Sequence, residues 1–276
     1  MTKVKIAVVQ FGVRNVSDVE NISKAEEFIK KAASKKAQIV VFPEDFVTRT
    51  TPENVEFVDL KKYLGKFQEF AKKYEVDVVP GSFIKKEGKK FFNTSYYIDH
   101  KGKILAKYNK IHLWISERSS MKPGRTVRVF ETRFGKVGLA ICWDLASPEV
   151  FRRLAKKGAK IVFCPSYWCY QDAGIGMRYD KKAEAKLVDS LCADRAFEDD
   201  LIVVFCNSAE RNHKDGETPV GHSQIAVPFR GTLRKMNHTR EAMFIQEVDT
   251  SILRDAERVY KTREDVKNDG RVVKKK

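Results

Sequence analysis

The sequence has no apolar run near the roughly 18 residues that a membrane span requires, so no bilayer-crossing helix is expected. Its opening residues, MTKVKIAVVQ, pass straight into a strand pattern and lack the layout of a secretory signal. A cytoplasmic protein is the expectation. Cysteine is scarce: five residues, at 142, 164, 169, 192 and 206, with no CxxC among them. That odd, wide spacing fits neither a disulfide framework nor a zinc site, and free thiols suit a reducing compartment. Acid is short relative to base, 37 Asp and Glu against 53 Lys and Arg, for a net charge of +16. So large a charge raises nucleic-acid binding as an alternative function. Arginine, the residue of bidentate phosphate and base contacts, is nonetheless in the minority at 18 against 35 lysines. The lysines are scattered over polar helix faces, which reads as a solvated surface.

What is present is an alternation of strand and helix patterns. VKIAVVQ (4–10) reads as a strand, followed by a capping box at Ser17 and Glu20 and a helix with Ile22, Ala25, Ile29 and Ala32 on one face. QIVVF (38–42) reads as a buried strand stopped by Pro43. The next helix carries Leu60, Tyr63, Leu64, Phe67, Phe70, Ala71 and Tyr74 on one stripe. Between 76 and 107, VDVVPGSFI, FFNTSYYID and KILAKYN are separated by short turns and predict antiparallel hairpins. FGKVGLAIC, a helix from Pro148 to about Lys157, KIVFC, a helix near 179–198, LIVVFCN, SQIAV, AMFIQEV and a short last helix complete the chain. This order predicts one mixed-sheet α/β domain with helices outside, over 1–270, and a frayed basic tail at 271–276. AASKKAQIVVFPE (32–44) also echoes LAKKGAKIVFCPS (154–166), which suggests two related halves.

Three residues sit where such strands end. Cys142, in GLAICWDLASPE, leaves the strand pattern at once; Ser147 as N-cap and Pro148 at the first helical position mark a helix start nearby. Sites in open α/β sheets gather outside strand ends. A lone cysteine on an apolar strand is otherwise a small core residue, and a nucleophilic thiol needs a base. None of the histidines (100, 112, 213, 222, 238) lies in a papain-type or caspase-type signature, and His112 reads as structural, alternating with Lys110 on a strand. Glu44, just past Pro43, and Lys110, in KYNKIHLW, would singly read as surface charges.

In order, VVFPE, KYNKIHL and ICWD-x3-PE resemble the nitrilase superfamily of carbon–nitrogen hydrolases. So do Gln10 closing the first strand, Asn93-Thr94-Ser95, Glu117 before Pro123-Gly124, Arg195-Ala196 with Glu198, CNSAE, and Tyr260 with Arg263-Glu264-Asp265. The resemblance implies a four-layer αββα sandwich and a homodimer paired helix layer to helix layer. It also implies that Glu44 is the general base, Cys142 the nucleophile and Lys110 the oxyanion-stabilising cation. The backbone N–H of Trp143 would be a second oxyanion donor, and Glu117 would hold Lys110 and the substrate nitrogen in register. On this reading no metal or organic cofactor takes part, and the partner is a small amide, carbamoyl compound or nitrile. Ala146 stands where many members carry a carboxylate-binding arginine, and Asp144-Leu145 replaces the Glu-His pair of nitrilases proper, so amide or carbamoyl cleavage is favoured. Phe46, Tyr167 and Trp168 are candidate pocket residues or core aromatics.

Overall fold

The computed structural model describes residues 3–13, 18–48, 59–209 and 216–267. Strand β1 (Lys3–Gln10) leads to helix α1 (Asp18–Ser34), β2 (Ile39–Val41), α2 (Leu60–Tyr74), β3 (Asp77–Val79), β4 (Ser82–Glu87), β5 (Lys90–Ile98) and β6 (Ile104–Asn109). The second half runs β7 (Val129–Thr132), β8 (Gly135–Leu139), α3 (Pro148–Lys156), β9 (Ile161–Ser166), α4 (Ala183–Glu198), β10 (Ile202–Asn207), β11 (Gln224–Val227), β12 (Gly231–Lys235), β13 (Ala242–Asp249), α5 (Ile252–Tyr260) and α6 (Thr262–Lys267). One sheet has the order β13-β1-β2-β3-β5-β4, with β6 paired to β5; the other has the order β12-β11-β10-β9-β8-β7. Each centres on three parallel strands, β1-β2-β3 and β8-β9-β10, with antiparallel strands outside them.

The layering follows from alternation along strands that are apolar on both faces. From β1 and β2, Val4, Ile6, Val8, Ile39 and Val41 join Leu139, Ile161, Phe163 and Val204 in the core between the sheets. Ala7, Val9, Val40 and Phe42 point the other way, onto Ile22, Ile29, Phe67 and Phe70 of α1 and α2. Helices α3 and α4 cover the far face of the second sheet with Val150, Phe151, Leu154, Val188 and Cys192. The result is the αββα sandwich. Among the described residues no helix is long and apolar enough to cross a membrane.

Several local expectations change. VDVVPGSFI is two strands, because Gly81 at φ +69° turns the chain so tightly that a Cβ there would lie 1.8 Å from the Pro43 carbonyl oxygen. The strand before Cys142 stops at Leu139, and β6 stops at Asn109, so Lys110 and His112 lie beyond a strand rather than on one. The sequence pattern predicts neither β7 nor β12. Ser147 occupies the N-cap of α3 but makes no side-chain capping bond there, whereas Pro148 does take the first turn. Ser17 and the 271–276 tail lie outside the described residues.

Candidate active site

Glu44, Lys110 and Cys142 are brought together at the seam between the two sheets. Glu44 leaves β2 through Pro43, and its backbone N–H donates to the carbonyl of Ser166, at the end of β9 (3.3 Å). The echoing segments VVFPE and VFCPS therefore end against one another. The Tyr167 N–H donates to Glu44 Oε2 (2.9 Å), while the Tyr167 carbonyl accepts from Cys142 Sγ (3.6 Å). A single residue thus ties the carboxylate to the thiol.

Lys110 is 2 % exposed. Its Nζ lies 3.0 Å from Glu44 Oε1 and 2.8 Å from Glu117 Oε2. Burial alone would lower its pKa, but the carboxylate of Glu44, the sulfur of Cys142 and Glu117 outweigh it and hold the ammonium well above its ordinary value. Glu117 sits in a turn of 3-10 helix, Ile115–Ser119, where its Oε2 also accepts from the Trp114 N–H (2.7 Å).

Cys142 opens a second 3-10 turn, Cys142–Ala146, at φ +45°. A non-glycine residue in that region is strained by about 1–3 kcal/mol, a cost met elsewhere in the fold. Burial raises the thiol pKa well above 9.0, the Glu44 carboxylate adds to this, and Lys110 and the Tyr167 backbone only partly offset it. This environment disfavours the thiolate, which suits attack assisted by a base in the same step.

These groups line a cavity of about 420 Å³. Trp143, Tyr167 and Trp168 line it too, as does Trp114, so all three tryptophans of the chain face it. Trp143 packs edge-on to Trp114 (centroids 4.5 Å) and tilted against Trp168 (5.2 Å). Phe46 does not belong to this wall. It is fully buried in the other core, stacked on Phe42 at 5.0 Å and edge-on to Phe11 at 4.7 Å.

Asn93 was noted only as part of a motif, yet its Nδ2 bridges the two carboxylates, 2.7 Å from Glu44 Oε1 and 3.0 Å from Glu117 Oε1. Its place across a hairpin from Lys110, one residue before the Thr94–Asn109 pair, was the available signal. Asp172, also missed, lines the cavity and accepts from the Cys169 N–H (2.7 Å). Burial, with the charges of Glu184, Glu217 and Glu44, pushes its pKa up to about 7 against the backbone bond from Cys169. Among the described residues no His/Cys/Asp/Glu group could hold a metal ion.

A family model described as Carbon-nitrogen hydrolase matches residues 5–258. A protein named Nitrilase from Pyrococcus abyssi is 33 % identical over 261 residues, covering 91 % of this chain and 92 % of its own. Omega-amidase NIT2 of Xenopus tropicalis is 28 % identical over 266 residues, covering 92 % and 91 %. Among solved structures, Saccharomyces cerevisiae Nit3, from the nitrilase superfamily, superposes with a TM-score of 0.81 at 24 % identity over 94 % of both chains.

Proposed function

The chain belongs to the carbon–nitrogen hydrolase family, and on that premise we propose that it cleaves a small amide or N-carbamoyl compound through a thioacyl intermediate on Cys142. The observation that carries this reading is the buried Glu44–Lys110–Glu117 cluster opening into the same cavity as the thiol. Glu44 takes the thiol proton as sulfur attacks the carbonyl carbon. The oxyanion that forms is held by the Lys110 ammonium and the Trp143 N–H, in a site fixed before the reaction begins. Glu44 returns its proton to the departing nitrogen, and ammonia or an amine leaves. Water, deprotonated by Glu44, attacks the thioester carbonyl; the C–S bond breaks, the acid is freed and Glu44 returns the proton to the departing sulfur. Glu117 and Asn93 keep the lysine and the base in place throughout. No step calls for a metal or an organic cofactor.

The charge of the cavity narrows the substrate. Glu44, Asp45, Glu117, Asp172 and Glu217 line it, with Lys110 as its cation among the described residues, and Lys110 is already engaged by two of those carboxylates. An incoming carboxylate is repelled, whereas a neutral or cationic amide is accommodated. Ala146 offers no guanidinium to offset this. Nitriles are the second substrate class, favoured by the name of the Pyrococcus relative.

The test is an ammonia-release panel of neutral, cationic and carboxylate-bearing amides, carbamoyl amines and nitriles. Turnover of neutral or cationic amides or carbamoyl amines, with none by Cys142→Ala, is the expected result. Release from nitriles alone would replace the amide reading. No release from any compound, together with a salt-dependent shift of DNA or RNA, would favour the nucleic-acid alternative.

A further inference from the structure

Asp144 lies two residues after Cys142, is fully buried, and makes three hydrogen bonds that join the two segments bearing the reactive groups. Its Oδ2 accepts from the Ile141 N–H (2.9 Å), immediately before the cysteine, and from the Tyr108 hydroxyl (2.8 Å). Its Oδ1 accepts from the His112 N–H (2.8 Å). Tyr108 and His112 flank Lys110 by two residues on either side. One carboxylate therefore grips the chain before and after the lysine and, through Ile141, the residue that enters the strained turn at Cys142.

Lys110 and Cys142 themselves lie just past the ends of their strands. β6 ends at Asn109, and β8 ends at Leu139. The Lys110 N–H is anchored to the Asn93 carbonyl (2.8 Å) and that of Ala140 to the Phe163 carbonyl (3.0 Å), each within its own sheet. Asp144 crosses between them. We propose that Asp144 is a positioning residue: it sets the distance between the Lys110 ammonium and the Cys142 sulfur. Its two oxygens serve three donors, whereas an amide has one acceptor oxygen and would turn its NH2 group toward one side of the network. The proposal rests on the thiol-hydrolase reading above, but its first readout does not require turnover.

That readout is alkylation of Cys142 by iodoacetamide as a function of pH, followed by peptide mass spectrometry. The thiolate forms at lower pH when the ammonium stays close. Asp144→Asn and the milder Tyr108→Phe are compared with Tyr97→Phe. Tyr97 is a matched control: it is buried, and its hydroxyl donates to Asp77 Oδ2 at 2.7 Å in the same sheet, away from the cavity. Tyr108→Phe is expected to alkylate Cys142 about ten-fold more slowly near neutral pH, with its pH profile moved upward. On the preferred amide, kcat should fall about ten-fold and KM stay within about two-fold. Asp144→Asn should lose about 100-fold in kcat, the scale of a misplaced catalytic group. Tyr97→Phe should melt lower, as Tyr108→Phe does, yet alkylate and turn over like the parent. The proposal is overturned if Tyr108→Phe alkylates and turns over as Tyr97→Phe does, whether or not Asp144→Asn folds. A parent protein that alkylates normally but releases no ammonia would instead count against the thiol-hydrolase reading.

Discussion

Lys110 and Cys142 have opposite electrostatic problems, and each is part of the other's solution. The ammonium is buried and needs anions; the sulfur is buried and needs a cation to become one. Replacing Lys110 with Ala should therefore do two separable things. Loss of an oxyanion donor should lower kcat about 10²–10³-fold. Leaving Glu44 and Glu117 buried without their cation should also cost about 3–5 kcal/mol of stability, measured by denaturant unfolding. Unchanged kcat would remove the oxyanion role, and unchanged stability would show that the carboxylates are not ionised together. Cys142→Ser should fold normally and lose turnover, as judged by circular dichroism and ammonia release.

Among the elements, the tightest constraint lies where the chain leaving β2 meets the turn between β3 and β4. Gly81 sits under the Pro43 carbonyl, one residue from the proposed base, and a Cβ cannot be accommodated there without displacing backbone. Gly81→Ala should lower the melting temperature and reduce kcat, because the shift it forces is transmitted to Glu44. Gly88→Ala is the control: its φ is also positive but nothing lies near its Cβ position, so strain alone should lower stability and leave kcat intact. Equal kcat in the two variants would contradict the coupling.

The helices and central strands were legible because their periodicity is set by burial. The expected faces of α1 and α2 are nearly those observed, and apolar runs buried on both sides marked β1, β2, β9 and β10. The two edge strands of the second sheet were not legible. β7 and β12 are only partly buried, so VFET and GTLRK carry little apolar patterning. Glu44, Lys110, Glu117 and Cys142 could be named together only through the family resemblance, since each alone reads as an ordinary residue. Asn93 and Asp144 escaped even so, because their role is to contact groups distant in sequence. Phe46 was misplaced for a related reason: proximity to Glu44 in sequence does not fix which side of the sheet a ring takes.

Over the whole molecule, several aspartates are buried without full compensation. Burial is the leading cause that raises Asp77, brings Asp144 and Asp199 to about 6, and brings Asp172 to about 7, against an ordinary value of 3.8. Between roughly pH 4 and 6 the folded chain holds protons that the unfolded chain has lost, so these groups make stability fall as pH rises through that window. Carboxylates held low, such as Glu26 and Asp189, withdraw their support only below their ordinary range. Thermal melts should accordingly show a higher melting temperature near pH 5.5 than near pH 7.5, and a lower one would contradict the account. Light scattering should give a mass near twice 31.7 kDa if the homodimer implied by the family resemblance forms.

The most direct measurement is acid-quenched mass spectrometry of the protein during turnover of a slow amide, with peptide mapping. The account predicts an added acyl mass on the peptide containing Cys142, absent from Cys142→Ala and discharged by water with the release of the acid. Ammonia release with no acyl mass on that peptide, or with the label on Cys164, Cys169, Cys192 or Cys206 instead, would contradict it.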